Sequence, residues 1–320
     1  MEGYLRGYYG YKNFGDELLF FGVVKRLFTK YPLTKLFVEV GNNGRMEDRV
    51  RENYQGLLTE QQLKTIKFVN AKQHKYKLIT HLITFLGFSK YKKTFKFFGW
   101  WEVLSDERPF PHDGRNIPLL FNYSVQKKQF ILLGWIGKYR RSWTEMLYRY
   151  ILPKAEKIAV RDRDSLAIAK KFNSENTILY QDFAQEIIMN SEFRMQNSEK
   201  KQQNVKWKYI MININKQSVN KENVQRIVDF CIHYPDHKKI FFPCDMNDDK
   251  LCFQAIKKYV PGLEMYDRTK HPLTESLSLF YYTDGGIWAR LHFLLPLKLY
   301  EKPIVAIPYA DKINKLIIKK

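Results

Sequence analysis

Cysteine is scarce in this chain of 320 residues, with only Cys231, Cys244 and Cys252. An odd number with neither CxxC nor zinc-ligand spacing argues against a disulfide framework and points to a reducing compartment. Long hydrophobic runs are missing as well: stretches such as Leu78 to Phe88 fall short of the roughly 20 residues that span a bilayer. No positively charged start followed by an apolar run opens the sequence. Acidic residues are in short supply, 33 Asp and Glu against 54 Lys and Arg, which leaves a net charge of +21. Such an excess favours anionic partners: nucleic acid, acidic lipid headgroups or phosphorylated substrates. The other reading is a lysine-rich solvated surface, since the basic residues are spread along the chain and form no arm or tail. No RRM, KH, zinc-finger or helix-turn-helix pattern appears, so nucleic acid is not expected as a partner. The expectation is a cytoplasmic protein able to rest on the inner face of the cell membrane by peripheral contact with anionic lipid.

What is present is a large core. Hydrophobic residues make up 45% and aromatic residues 16% of the chain, far from a disordered composition. The length suits two domains. Short apolar runs followed by amphipathic segments predict strands near Tyr4 to Gly10, Lys35 to Val40, Thr65 to Asn70, Phe95 to Trp101, Gln129 to Trp135, Lys157 to Arg161 and Thr177 to Tyr180. Between Asn190 and Lys206 the sequence turns polar, as a linker does. Strands resume at Tyr209 to Ile214, Lys239 to Pro243, Leu263 to Tyr266, Gly285 to Ala289 and Ile304 to Ile307. Helices are predicted over Lys221 to His233, Asp248 to Tyr259, Thr274 to Tyr282 and Leu291 to Leu299, the last bent or shortened by Pro296. The expected fold is α/β: two Rossmann-like domains, residues 1–195 and 196–320, facing a cleft in the GT-B manner.

Four strand-to-helix junctions carry residues with chemistry. Gly7, Gly10 and Gly15 frame a turn before an apolar helix that starts near Asp16, with Asn13, Asp16 and Glu17 at the helix N-terminus. Such an end presents N–H groups to an anion or a polar sugar. The spacing is neither a dinucleotide fingerprint nor a Walker loop, and a plain turn with Asp16 as helix cap fits it too. Trp100, Trp101, Glu102 and Asp106 read as a loop at a strand end, aromatic for stacking on sugars and acidic for a general base, or as core residues. Arg161 opens Arg161-Asp162-Arg163-Asp164-Ser165, where a guanidinium at a helix start suits a carboxylate or phosphate; an exposed salt-bridged turn capped by Ser165 is the other reading. Arg290 and His292, two apart at the last junction, pair a fixed charge with a group that exchanges protons near neutral pH.

Taken in order, these segments resemble the polysaccharide pyruvyltransferase family: Gly-Tyr-Tyr-Gly-x-x-Asn-x-Gly-Asp-Glu, Val-Arg-Asp-x-x-Ser, and Glu275-Ser276-Leu277 through Asp284 to Arg290-Leu291-His292. The resemblance implies transfer of pyruvate from phosphoenolpyruvate onto a sugar of a cell-surface polysaccharide or its lipid-linked precursor, as a ketal. By motif position it assigns Arg161, Arg290 and Leu291 to the donor and His292 to acid catalysis, with Asp106, Glu102 and Asp16 as candidate bases. Asn13, Asp16, Glu17 and Trp101 are assigned to the acceptor. The glycine-rich half is then the acceptor side and the Arg-Leu-His half the donor side. No cofactor or metal is expected, because the carboxylates and histidines show no ligand spacing; Pro235 separates His233 from His237. The alternative is a GT-B-type glycosyltransferase using a nucleotide-activated sugar.

Overall fold

The computed structural model describes residues 1–7, 13–40, 45–53, 56–70, 94–105, 117–126, 129–173, 175–189 and 208–307. The turn at residues 8–12, the loop holding Asp106, and the linker with its boundary after residue 195 lie outside the described residues. The chain divides into two compact units. One comprises Met1–Gly10, Leu19–Tyr54 and Leu58–Phe183; the other comprises Tyr11–Leu18, Gln55–Leu57 and Ala184–Lys320.

In the first unit, β1 (Glu2–Arg6), β2 (Lys35–Val40), β3 (Ile66–Asn70), β4 (Phe95–Leu104), β5 (Phe130–Ile136), β6 (Lys157–Val160) and β7 (Thr177–Leu179) form one parallel sheet ordered β3-β2-β1-β4-β5-β6-β7. Inner strands of a parallel sheet are covered on both faces and so need near-continuous apolar sequence. The run Phe-Ile-Leu-Leu-Gly-Trp-Ile of β5 meets that need, with six of its seven residues buried. Between the strands run α1 (Phe14–Lys30), α2 (Arg45–Asn53), α3 (Glu60–Thr65), α4 (Ile117–Val125), α5 (Ser142–Ile151) and α6 (Arg163–Lys170). A short α7 (Phe183–Ile188) follows β7 and, from Ala184 on, belongs to the second unit.

The second unit repeats the pattern in smaller form. Strands β8 (Tyr209–Ile212), β9 (Lys238–Phe241), β10 (Leu263–Met265), β11 (Gly286–Trp288) and β12 (Ile304–Ala306) make a parallel sheet ordered β10-β9-β8-β11-β12. Helices α8 (Lys221–Ile232), α9 (Asp248–Lys257), α10 (Leu273–Tyr282) and α11 (Leu291–Leu299) connect them, and α11 contains Pro296. Ile210, Ile212 and Ile287 form one core cluster with Ile227 and Phe230 of α8 and Cys252 and Ile256 of α9. In both sheets the strand order reverses beside the first strand, between β1 and β4 and between β8 and β11. Ligands of open α/β sheets bind beyond the strand carboxyl ends at such switch points.

Every expected strand overlaps an observed one, with one correction that touches the candidate site. The strand expected to end at Trp101 continues to Leu104, its pairing with β5 shifting register between Trp100 and Leu104. Glu102 therefore lies on β4 and not in a loop, and Trp101 lies within the strand rather than at its end. An irregularity of this kind lets a strand absorb an extra residue and carry on. All three cysteines are buried and unpaired. Among the described residues no helix is long and apolar enough to cross a membrane.

Candidate active site

The second unit gathers polar side chains at the carboxyl ends of β8, β9 and β11. Arg290 follows β11 in an extended conformation and forms the N-terminal boundary of α11, its own side chain making no capping hydrogen bond. Its Nη2 donates to Asp249 Oδ1 at 2.5 Å. Asp249 lies in the first turn of α9 and is fully buried. Its other oxygen, Oδ2, accepts from Cys244 N at 2.8 Å, Asp245 N at 3.1 Å and Asn213 Nδ2 at 3.2 Å. Asn213 comes directly after β8 and donates also to Phe242 O at 2.9 Å. One carboxylate thus links residues that follow three neighbouring strands and fixes the guanidinium at the switch point. Burial pushes the Asp249 carboxyl up, although Arg290 and the two backbone N–H groups pull it back. For Arg290, burial works to lower the value, but the Asp249 carboxylate outweighs it and the guanidinium is held charged.

The first turn of α1 belongs to the same cluster. Phe14 N donates to Cys244 O at 2.8 Å, and Asn13 pairs with Asp245 in an isolated antiparallel bridge. Asn13 Oδ1 accepts from Gly15 N at 3.0 Å and Asp16 N at 3.4 Å. The cap of α1 is therefore Asn13, not Asp16, because a capping side chain must stand before the helix to reach the second and third N–H groups. Asp16 and Glu17 fall inside the first turn. Glu17 Oε1 pairs with Arg268 Nη1 at 2.9 Å, their side chains only 2% and 1% exposed. Burial, together with the charges of Glu17 and Asp245, raises the Asp16 carboxyl well above its ordinary range, and Arg268 offsets this only in part. A carboxyl held in that way is suited to donating a proton.

His292 is the second residue of α11 and 8% exposed. Its imidazole lies directly on Gly15, where an added methyl would overlap the ring. Glycine at this position allows the close approach of backbone to imidazole.

The structure therefore brings Asn13, Asp16, Glu17, Arg290, Leu291 and His292 into one unit. Arg161 stands in the other unit, after β6, with Nη1 3.6 Å from Asp182 Oδ2 and Nε 3.9 Å from Asp162 Oδ2. Asp162 is the cap of α6, accepting from Ser165 N at 2.8 Å; Ser165 is instead buried and bonded to Ile136. Glu102 and Trp101 lie on β4, and Asp106 is outside the described residues. Sequence reading missed Asp249, Asn213, Asp245 and Arg268. Two of these acids stand in Asp245-Met246-Asn247-Asp248-Asp249, whose first-turn carboxylates signal only a helix start. Among the described residues no group of three His, Cys, Asp or Glu is placed to hold a metal ion.

The model of the family described as polysaccharide pyruvyl transferase matches residues 13–282. The chain belongs to the polysaccharide pyruvyl transferase family. Arg161 and the first turn of α1 fall inside the match, whereas Arg290, Leu291 and His292 lie beyond its end. Comparison with curated proteins finds no match. Among solved structures, UDP-GlcNAc 2-epimerase from Neisseria meningitidis bound to UDP-GlcNAc is similar with a TM-score of 0.62 at 10% identity, over 96% of this chain and 82% of the epimerase. The UDP-GlcNAc 2-epimerase of Methanocaldococcus jannaschii is similar with a TM-score of 0.61 at 10% identity, over 100% and 87%. That of Rickettsia bellii has a TM-score of 0.59 at 8% identity, over 95% and 78%. At such identities the likeness is one of fold, and this family member has the GT-B-like fold of two parallel-sheet α/β domains.

Proposed function

We propose that the chain transfers the pyruvyl group of phosphoenolpyruvate to two hydroxyls of one sugar in a surface polysaccharide or its lipid-linked precursor. The observation that carries this reading is Arg290, clamped by Asp249 at the switch point where α11 begins, with His292 two residues on. A rigid guanidinium beside a helix N-terminus matches a small donor bearing phosphate and carboxylate. Arg161 is assigned to the same donor on its motif alone.

In the reaction, an acid gives a proton to the methylene carbon of the donor, leaving C2 electrophilic. His292 fills that role, and the Asp16 carboxyl is a second proton source in the same cluster. One sugar hydroxyl adds to C2 and surrenders its proton to a base, a role still assigned to Glu102 or Asp106. The C2–O bond to phosphate breaks, and the second hydroxyl closes the ketal with loss of its proton. Positive charge fixed at the phosphate stabilises its departure electrostatically. Overall, donor and diol become ketal and inorganic phosphate.

The test is thermal unfolding with phosphoenolpyruvate or UDP-GlcNAc, followed by an assay for the ketal product. A ligand at about 100 times its Kd adds roughly 2.7 kcal/mol of stability. Phosphoenolpyruvate is expected to stabilise the wild-type chain and to lose that effect in Arg290→Lys, which keeps charge but not the planar fork. Stabilisation by UDP-GlcNAc alone would replace this reading with nucleotide-sugar chemistry, the ligand of the Neisseria epimerase structure.

A further inference from the structure

Helix α5 has two unlike faces. Thr144, Tyr148 and Ile151 point inward, and Tyr148 and Ile151 pack in a core cluster with Phe98, Leu132 and Ile158. On the outward side, at spacings of three and four, stand Trp143, 44% exposed, Met146, 65% exposed, and Tyr150, 37% exposed. Tyr150 meets Phe121 of α4 with ring centroids 5.1 Å apart, and Val125, one turn further along α4, is 53% exposed. Solvent-facing apolar side chains are ordinary when single, but a contiguous strip marks a surface for something else.

The rim of this strip is basic. Residues 137–157 hold six Lys and Arg against two Glu, and Lys138, Arg140, Arg141, Arg149, Lys154 and Lys157 are all exposed. The one acid on α5, Glu145, is matched twice, by Arg149 at 2.9 Å and Lys171 at 3.3 Å. The cations sit against the aromatic rings: Lys154 Nζ is 3.1 Å from the centre of Tyr150, and Arg141 is 5.9 Å from that of Trp143. Aromatic and apolar side chains flanked by cations are the composition of a helix that lies in the headgroup layer of an anionic bilayer. A dissolved polyanion would use the charges but would leave Met146 in water. The ten residues of α5 are too few to span a bilayer.

We propose that the outer face of α5, with the basic turn before it, docks this protein on the surface of a membrane containing anionic phospholipid. The occupant follows from charge complementarity around an apolar strip, and it stands whether or not phosphoenolpyruvate is the donor.

The experiment is flotation of the full chain with vesicles of phosphatidylglycerol and phosphatidylcholine in equal parts, against phosphatidylcholine alone. The wild-type chain is expected to float with the anionic vesicles only. Trp143→Ser with Met146→Ser, both exposed in the folded chain, is expected to weaken binding about tenfold. Lys138→Glu with Lys154→Glu removes two cations worth about fivefold each and more through the added charge. Lys221→Glu with Lys258→Glu, the same charge change in the second unit, is expected to bind as wild type. Failure of the wild-type chain to float, undiminished binding by either α5 variant, an equal loss in the second-unit control, or equal binding to both kinds of vesicle would each overturn the proposal.

Discussion

The two units build the same junction in different ways. After β6 the chain enters α6 through Arg161, and after β11 it enters α11 through Arg290. At the first, Asp162 caps the helix, Ser165 ties the turn to Ile136 on the neighbouring strand, and Arg161 lies 3.6 Å from Asp182. At the second the boundary residue Arg290 does not cap the helix with its own side chain and is held by Asp249, which lies 41 residues earlier. A helix that satisfies its own N-terminus needs no ligand there. At the second junction the neighbouring charge is fixed by a distant buried carboxylate, which is why we propose that end for an anionic ligand. The difference favours the second junction as the anion site proposed above.

The largest effect should come from the clamp. Asp249→Ala removes the partner of a mostly buried guanidinium and three further hydrogen bonds, and breaking a buried ion pair from one side costs about 3–5 kcal/mol. Urea unfolding should show the free energy of unfolding in water falling by that amount. An effect below about 1 kcal/mol would mean that water replaces the carboxylate and that the second junction is no more rigid than the first.

Gly15→Ala tests the contact that joins α1 to the second junction. The added methyl would overlap the His292 ring, and forcing a methyl into a packed site costs about 1–3 kcal/mol. A helical glycine away from any such contact would instead gain about 1 kcal/mol on becoming alanine. Measured stability therefore decides by sign. On the proposed reaction, the variant should also lose turnover while still being stabilised by phosphoenolpyruvate, because the imidazole moves and Arg290 does not.

The strands were readable because inner parallel strands must be apolar throughout: Phe130 to Ile136 and Tyr209 to Ile212 announce themselves. Arg290 and His292 were readable because they follow such a run directly. Asp249 was not, since nothing local distinguishes it from Asp245 or Asp248; only the sheet order, with β9 beside β8 and β8 beside β11, sets it against Arg290. Arg268 was hidden for the same reason, because its partner Glu17 is 251 positions away and on the first helix. Glu102 misled in the opposite direction. Indoles followed by acids suggested a strand end, where pairing with β5 slips register and continues.

Protonation tests the cluster around the second junction. In the folded chain Asp16 keeps its proton at pH values where an unfolded aspartate, with its ordinary value of 3.8, has lost it. Folding then takes up a proton, so the contribution of Asp16 to stability falls as pH rises above about 3.8 through the raised value. Asp16→Asn lacks this dependence. The stability of the variant relative to wild type is expected to climb with pH across that window, and a flat difference would show that Asp16 ionises freely.

The smallest effect belongs to the self-sufficient junction. Asp162→Ala removes a cap that accepts from Ser165 N and Ser165 Oγ, and losing a cap costs about 1 kcal/mol. Ser165 keeps its bonds to Ile136, so the turn has a second anchor and the loss should stay local. Amide exchange should quicken in the first turn of α6, with β5 and β6 protected as before. If Asp162→Ala instead destabilised the chain as much as Asp249→Ala, the carboxylate would be countering the half-buried Arg161 charge more than capping a helix. The first junction would then be a second clamp, and both arginines would have equal standing as donor ligands.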